Sequence, residues 1–160
     1  MSQGRAETER ILLLTEGRTT PLSAKTATGV LRYSLGQVVG LIDSTQAGRT
    51  AGELLGVGGD IPVFAALGQA QEADTLIVGI APAGGELSGP LRREIRGAIE
   101  RGMRVESGMH FFLNDDEEFS RLAKRSGYPR ETDTQSKQQN CLLDNLFELF
   151  HLFHWLKLSN

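Results

Sequence analysis

Glu16-Gly17-Arg18-Thr19-Thr20 is the segment of this chain best equipped to meet a ligand. It follows the apolar run Ile11 to Leu14 and precedes a helical pattern. The backbone N–H groups of Arg18 to Thr20 would then stand where a strand turns into a helix, and can receive a phosphate or carboxylate. Arg18 adds a bidentate, charge-assisted donor. A second short segment, Asp43-Ser44-Thr45, ends another apolar run, and Asp43 occupies the place of a ribose-hydroxyl acceptor in a dinucleotide site. A third, Ala81 to Gly85, brings Pro82, Gly84 and Gly85 to the same expected crevice. The cofactor-binding candidates are therefore Gly17, Arg18, Thr19, Thr20, Asp43, Ser44, Pro82, Gly84 and Gly85. Glu16, Ser107, Gly108 and His110 are candidate substrate contacts. The chemistry these types support is recognition of a small anionic ligand.

Each feature also has a structural reading. A strand-to-helix turn needs glycine and threonine for its own geometry, Asp43 can simply start a turn, and Gly84-Gly85 suits a flexible crossover. His110 stands beside Phe111 and Phe112, as a packed or capping residue would. With three histidines, two of them (His151 and His154) near the C-terminus, no His–carboxylate catalytic pair can be assembled. No G-x-G-x-x-G, P-loop, H-E-x-x-H or EF-hand pattern occurs. His151 and His154 stand three apart among Phe150, Phe153 and Trp155 with no third ligand nearby, and read as ordinary helix-face residues rather than metal ligands. Ser88, Arg92, Arg93 and Arg96 gather cations near the start of one helix. This is a solvated face, or a contact for an anion or a neighbouring domain.

The elements that must position these loops alternate strand with helix. Strand patterns cover Arg10 to Thr15, Gln37 to Asp43, Ile61 to Phe64, Thr75 to Ile80 and Met103 to Glu106. Helical patterns cover Pro21 to Tyr33, with Thr20 as cap and Pro21 at the first position, and Thr50 to Leu55, closed by Gly56. A helical turn or two follows from Ala65 to Glu72. A longer helix starts near Ser88 or Pro90, reaches Arg101 and is stopped by Gly102, with Leu91, Ile95, Ala98 and Ile99 as its apolar stripe. The last runs to Arg125 and is capped by Asn114 or Asp115, with acids in its first turn and bases in its last. Such alternation implies a parallel sheet with right-handed crossovers. The expected fold is α/β, a Rossmann-like doubly wound five-stranded sheet in the order 3-2-1-4-5 with a C-terminal helical tail. Its ligand crevice opens beyond the strand ends where the first and fourth strands diverge.

The 160 residues suit one domain of ordinary size. Seventeen Lys and Arg against 20 Asp and Glu give a net charge of -3, which argues against a nucleic-acid binder. The single cysteine, Cys141, excludes an internal disulfide framework and fits a reducing compartment. No secretory signal precedes the first strand, so a cytoplasmic protein is expected. All 19 glycines fall at or before Gly127, and no alanine follows Ala123. The expected organisation is a domain over 1–128, a polar linker over 129–140 and an amphipathic helical tail over 141–158. That tail is too interrupted by charge for a transmembrane span, and its Leu/Phe/Trp face could support homo-oligomerisation.

The segments Ile11 to Tyr33, Val39 to Gly52 and Ile77 to Gly85 resemble the N-terminal domain of the D-glutamate N-acetyltransferase (DgcN-type) family. That family was long carried as a domain of unknown function and is often labelled a NAD-dependent epimerase/dehydratase. The resemblance covers about residues 9 to 128. It implies a Rossmann-like N-terminal half, a P-loop-type C-terminal half as its intramolecular partner, and acetylation of D-glutamate with acetyl-CoA. It also implies acetyl-CoA or a nucleotide as the cofactor. The P-loop half is absent here, and the composition break near Tyr128 suggests a frameshift, a truncated gene or a fused unrelated segment. Alone, the chain is expected to bind rather than catalyse. A NAD(P)-binding epimerase/dehydratase-like domain and a structural or oligomerisation module are the alternatives.

Overall fold

The computed structural model describes residues 9–80, 87–107 and 113–126. The chain divides into two units, Met1–Tyr128 and Pro129–Asn160, and all described residues belong to the first. The expected linker and helical tail lie outside the described residues.

Five strands form one parallel sheet: β1 (Ile11–Leu14), β2 (Val38–Ile42), β3 (Val63–Phe64), β4 (Thr75–Val78) and β5 (Arg104–Ser107). Their spatial order is β3-β2-β1-β4-β5, as the alternating pattern led one to expect. The sequence of β1, Ile-Leu-Leu-Leu, has no alternation because a central parallel strand is covered on both faces, and all four residues are buried. β4 is likewise buried along its length. In register, Leu14 lies between Ile42 of β2 and Val78 of β4, so the C-terminal ends of the three central strands are level. The loops that leave them therefore emerge side by side.

Among the described residues four α-helices accompany the sheet: α1 (Lys25–Tyr33), α2 (Ala51–Leu55), α3 (Gly89–Glu100) and α4 (Glu117–Arg125). The crossovers carrying α1 and α3 step in opposite directions across the sheet, so right-handedness sets these helices on opposite faces. The stripe read on α3 is the one it buries: Leu91, Ile95, Ala98 and Ile99 are each at most 6% exposed. Glu94, on the same helix, is buried too. Its carboxylate accepts from the Leu67 backbone N–H at 2.8 Å, while Arg101 Nη1 donates to the Leu67 carbonyl at 3.0 Å. A short 3₁₀ turn, Leu67–Gln69, stands where one or two helical turns were expected, and α3 grips it at both backbone groups.

The five-residue α2 is too short to persist on propensity. It is held by a capping box in which Thr50 accepts from the Glu53 N–H and the Glu53 side chain accepts from the Thr50 N–H. Gly56, at φ 70°, closes its C-terminus in the left-handed region. Thr50→Ala is expected to cost about 1 kcal/mol, read as a lower urea midpoint at unchanged slope.

Two helix starts differ from the sequence expectation. α1 begins at Lys25, not Pro21, and its N-cap position is Ala24, with no side-chain cap. Residues 21–23 form a turn in which the Thr20 carbonyl accepts from the Ser23 and Ala24 N–H groups. α4 is capped by Asp116 rather than Asn114 or Asp115, because those two lie in the preceding 3₁₀ turn, Leu113–Asp115. The Asp116 carboxylate accepts from the Glu118 and Phe119 N–H groups.

Candidate functional site

The crevice expected from topology lies at the C-terminal edge, where β1 sends its chain toward β2 and β4 sends its chain toward β5. The β1 loop is shaped first by its own backbone. The Arg18 N–H donates to the Thr15 carbonyl at 2.8 Å, closing a turn whose third residue, Gly17, sits at φ 69°. A type II turn demands that conformation, and an L side chain would strain it. The Thr20 N–H then donates to the Arg18 carbonyl at 2.8 Å.

Asp43 holds this loop from the side. Its carboxylate is fully buried at the end of β2. Oδ2 accepts from the Thr19 N–H at 3.3 Å and from the Thr19 hydroxyl; Oδ1 accepts from the Thr45 N–H at 2.9 Å and the Thr45 hydroxyl at 2.7 Å. The Thr19 proton goes to the carboxylate, so the Thr15 hydroxyl, 2.7 Å away, donates to Thr19. Burial works to raise the Asp43 pKa. The hydrogen bonds from Thr19, Thr45 and the Gly17 backbone together outweigh it and hold the group below the ordinary aspartate value.

Glu16 makes the reciprocal tie. From the β1 loop it reaches the β2 loop, accepting from the Ser44 N–H at 2.8 Å and from the Ser44 hydroxyl. Two carboxylates thus brace two neighbouring loops in opposite directions, with every named bond internal to the protein.

The backbone donors of the phosphate cradle expected at Arg18 to Thr20 are engaged within the protein. The three N–H groups serve Thr15, Asp43 and Arg18 respectively, and they do not lead directly into a helix. The bracing also changes the reading of Asp43: a carboxylate already receiving these donors acts as a brace and has little capacity left for a ribose hydroxyl. What the braced loop presents outward is a set of side-chain donors. Arg18 is exposed, and its guanidinium makes no hydrogen bond or ion pair among the described residues. Thr20 is exposed; its hydroxyl oxygen accepts from the Ser23 N–H at 3.2 Å, leaving the proton free to point outward. Lys25, exposed at the first position of α1, is a cation the sequence reading missed. The missed signal was the Thr20-Pro21 pair, which mimics a helix start and placed Lys25 inside the helix.

Gly79, just past β4, completes the described part of the edge. Its N–H donates to the Leu14 carbonyl at 2.8 Å and its carbonyl accepts from the Ala27 N–H at 3.0 Å, satisfying one of the first-turn donors of α1. A Cβ at Gly79 would meet the Ala27 Cβ at 2.7 Å and Thr15 Cγ2 at 3.1 Å. The glycine is what lets α1 approach the strand ends. Ser107 ends β5 opposite Val78 and is half-buried. Pro82, Gly84, Gly85, Gly108 and His110 lie outside the described residues.

The cations of α3 are committed elsewhere. Arg92 pairs with Asp116 and Glu118 and lies over the Phe119 ring, Arg96 pairs with Glu118, and Arg93 pairs with Glu94. These guanidiniums pair with α4 or their own helix, and Arg93 and Arg96 stay exposed, as a solvated face would be. Among the described residues no cluster of three or more His, Cys, Asp or Glu could hold a metal ion, and no helix is long and apolar enough to cross a membrane.

No curated protein matches the sequence. A crystal structure of a DUF1611 family protein from Anabaena variabilis is similar, with a TM-score of 0.64 and 29% identity over 71% of this chain. The chain spans about a third (34%) of the length of that relative. The family model described as "Domain of unknown function (DUF1611_N) Rossmann-like domain" matches residues 44–129. The match begins at Ser44, just after Asp43, and runs through the helices and strands that follow. With more than half of its length covered, the chain belongs to the DUF1611 N-terminal Rossmann-like domain family.

Proposed function

We propose that the described unit is a binding module for a small anionic ligand, entered from the edge between β1 and β4. Arg18 makes the charge contact, and Thr20 and Lys25 supply further donors. The observation that carries this reading is the imbalance at the braced loop. Its acceptors, Asp43 and Glu16, are engaged with protein donors, whereas Arg18, Thr20 and Lys25 face outward. Such an arrangement suits a phosphate or carboxylate. Gly84, Gly85 and Pro82 are proposed as further contacts because the Ala81 to Gly85 segment follows β4 in sequence.

The broad ligand class follows from a Rossmann-like fold: a nucleotide, a nicotinamide dinucleotide or a nucleotide-bearing acyl carrier. A NAD(P)-binding domain of the epimerase/dehydratase type is the reading closest to the fold, although the loop lacks the three-glycine fingerprint. The finer assignment, a piece of a D-glutamate N-acetyltransferase using acetyl-CoA, rests on the resemblance of Ile11 to Tyr33 and its companion segments. It concerns a longer protein that includes a P-loop-type partner.

The test is thermal melting of the chain with NAD, ATP and acetyl-CoA, each in the wild type and in Arg18→Ala. At least one is expected to raise the wild-type Tm in proportion to the logarithm of its concentration. Arg18→Ala is expected to weaken that ligand's apparent affinity about tenfold, the usual worth of one charge-assisted contact, at an unchanged Tm without ligand. Absence of any shift with all three, or shifts equal in both proteins, would contradict the proposal.

A further inference from the structure

The α3–α4 contact is tied by ion pairs around one buried ring. Of the α4 residues only Phe119 is buried, with Leu122 and Ala123 half-covered. Arg92 reaches across from α3, its Nη2 lying 2.7 Å from Asp116 Oδ2 and 2.9 Å from Glu118 Oε2. The same guanidinium lies 4.8 Å above the Phe119 ring centre. Asp116 has two tasks at once: Oδ1 caps α4 through the Glu118 and Phe119 N–H groups, and Oδ2 receives Arg92. The Arg92 side chain is 31% exposed and that of Asp116 12%, so this is a partly desolvated contact rather than a loose surface pair. Removing the single cation would strip the cap residue of its partner and Phe119 of its cover together.

We propose that α4 is an ionic latch, a helix fastened to α3 through Arg92 that opens as a unit of its own before the sheet does. Two contrasts support separate opening. β1 and β4 are buried along their whole lengths and hydrogen-bonded on both sides. α4 has a single fully buried side chain, and elements with little buried apolar surface occupy the low end of local stability. Glu118 and Asp116 are held below their ordinary carboxylate pKa values: for Glu118 the Arg92 hydrogen bond leads, and for Asp116 burial works upward but is outweighed by Arg92 together with the Phe119 and Glu118 N–H groups. Both stay charged at neutral pH, so the latch is sensitive to ionic strength rather than to physiological pH. Opening uncovers Phe119 and Leu122 and frees the last described element before the second unit begins at Pro129.

Amide hydrogen exchange of the full chain, read by mass spectrometry at low and at about 0.5 M salt, tests this. In the wild type, amides of Glu117–Arg125 are expected to exchange about tenfold faster at the higher salt, with those of β1 and β4 unchanged. Arg92→Met should produce most of that acceleration at low salt and leave only the smaller salt response of the remaining Arg96–Glu118 pair. Arg121→Ala removes only an exposed pair with Glu117 and should change the rate less than about twofold. If α4 amides exchange together with β1 and β4, or if salt leaves them unchanged, the latch is refuted. The wild-type salt series decides the matter even where Arg92→Met fails to fold.

Discussion

Asp43→Ala is expected to remove about 3–5 kcal/mol of folding stability. The reason is the number of donors that lose their acceptor in a dry place. The Thr19 N–H and hydroxyl and the Thr45 N–H and hydroxyl all converge on this one carboxylate, which is fully buried. Alanine leaves them facing a small void, and the Thr15–Thr19 hydroxyl pair loses its terminus. Asp43→Asn keeps the shape but presents an amide N–H₂ to donors on one side, so it should recover only part of the loss. Equilibrium urea unfolding checks both, and a change below about 1 kcal/mol for the alanine variant would show that the brace is unimportant.

The same group gives the wild-type protein an acid limb. Its folded pKa is depressed, so its stabilisation is fully present above the unfolded aspartate value, about 3.9, and is lost as pH falls through the lower folded value. Stability of Asp43→Asn should therefore fall less steeply than that of the wild type as pH drops below about 4. Parallel pH profiles would contradict the assignment.

The second large effect is expected at Gly79. An added methyl would lie 2.7 Å from the Ala27 Cβ and 3.1 Å from Thr15 Cγ2, both on packed, buried residues with no room to turn away. α1 must then withdraw, stretching the bond from the Ala27 N–H to the Gly79 carbonyl. Gly79→Ala should cost about 2–3 kcal/mol in urea unfolding. Because α1 carries Lys25 and borders the β1 loop, ligand-induced stabilisation should shrink as well. A variant with unchanged midpoint would mean that helix and strand end adjust independently.

Much of the fold is legible in the sequence because central parallel strands advertise themselves. Ile11 to Leu14 and Thr75 to Val78 are apolar without alternation, and burial on both faces is the reason. The α3 stripe is equally plain, since Leu91, Ile95, Ala98 and Ile99 repeat at helical spacing. Local capping signals are less dependable. Thr20-Pro21 has the form of a helix start, but the donor that matters, the Ala27 N–H, finds its acceptor in Gly79, just past β4. Three acidic or amide residues precede α4, and only Asp116 can serve both the cap and Arg92.

The site was legible as a place more than as a set of roles. Topology points to the loops after β1 and β2, and Glu16, Gly17, Thr19, Asp43 and Ser44 do come together there. Spacing alone could not show that these residues satisfy one another. Thr19 and Asp43 are 24 positions apart, and a hydrogen bond between them exists only once β1 and β2 pair. In the function proposed above, the residues that meet a ligand are those the bracing does not use: Arg18, Thr20 and Lys25.

Titrating isotopically labelled chain with the ligand that raises its Tm, and following backbone amide chemical shifts, tests the location most directly. Shifts are expected at Gly17 to Thr20, at Lys25 and at Gly79–Ile80, with Glu117 to Arg125 and the opposite sheet edge around Arg10 and Asp74 unchanged. Saturable shifts confined to either of those two remote regions would show that the crevice between β1 and β4 is not where this module binds.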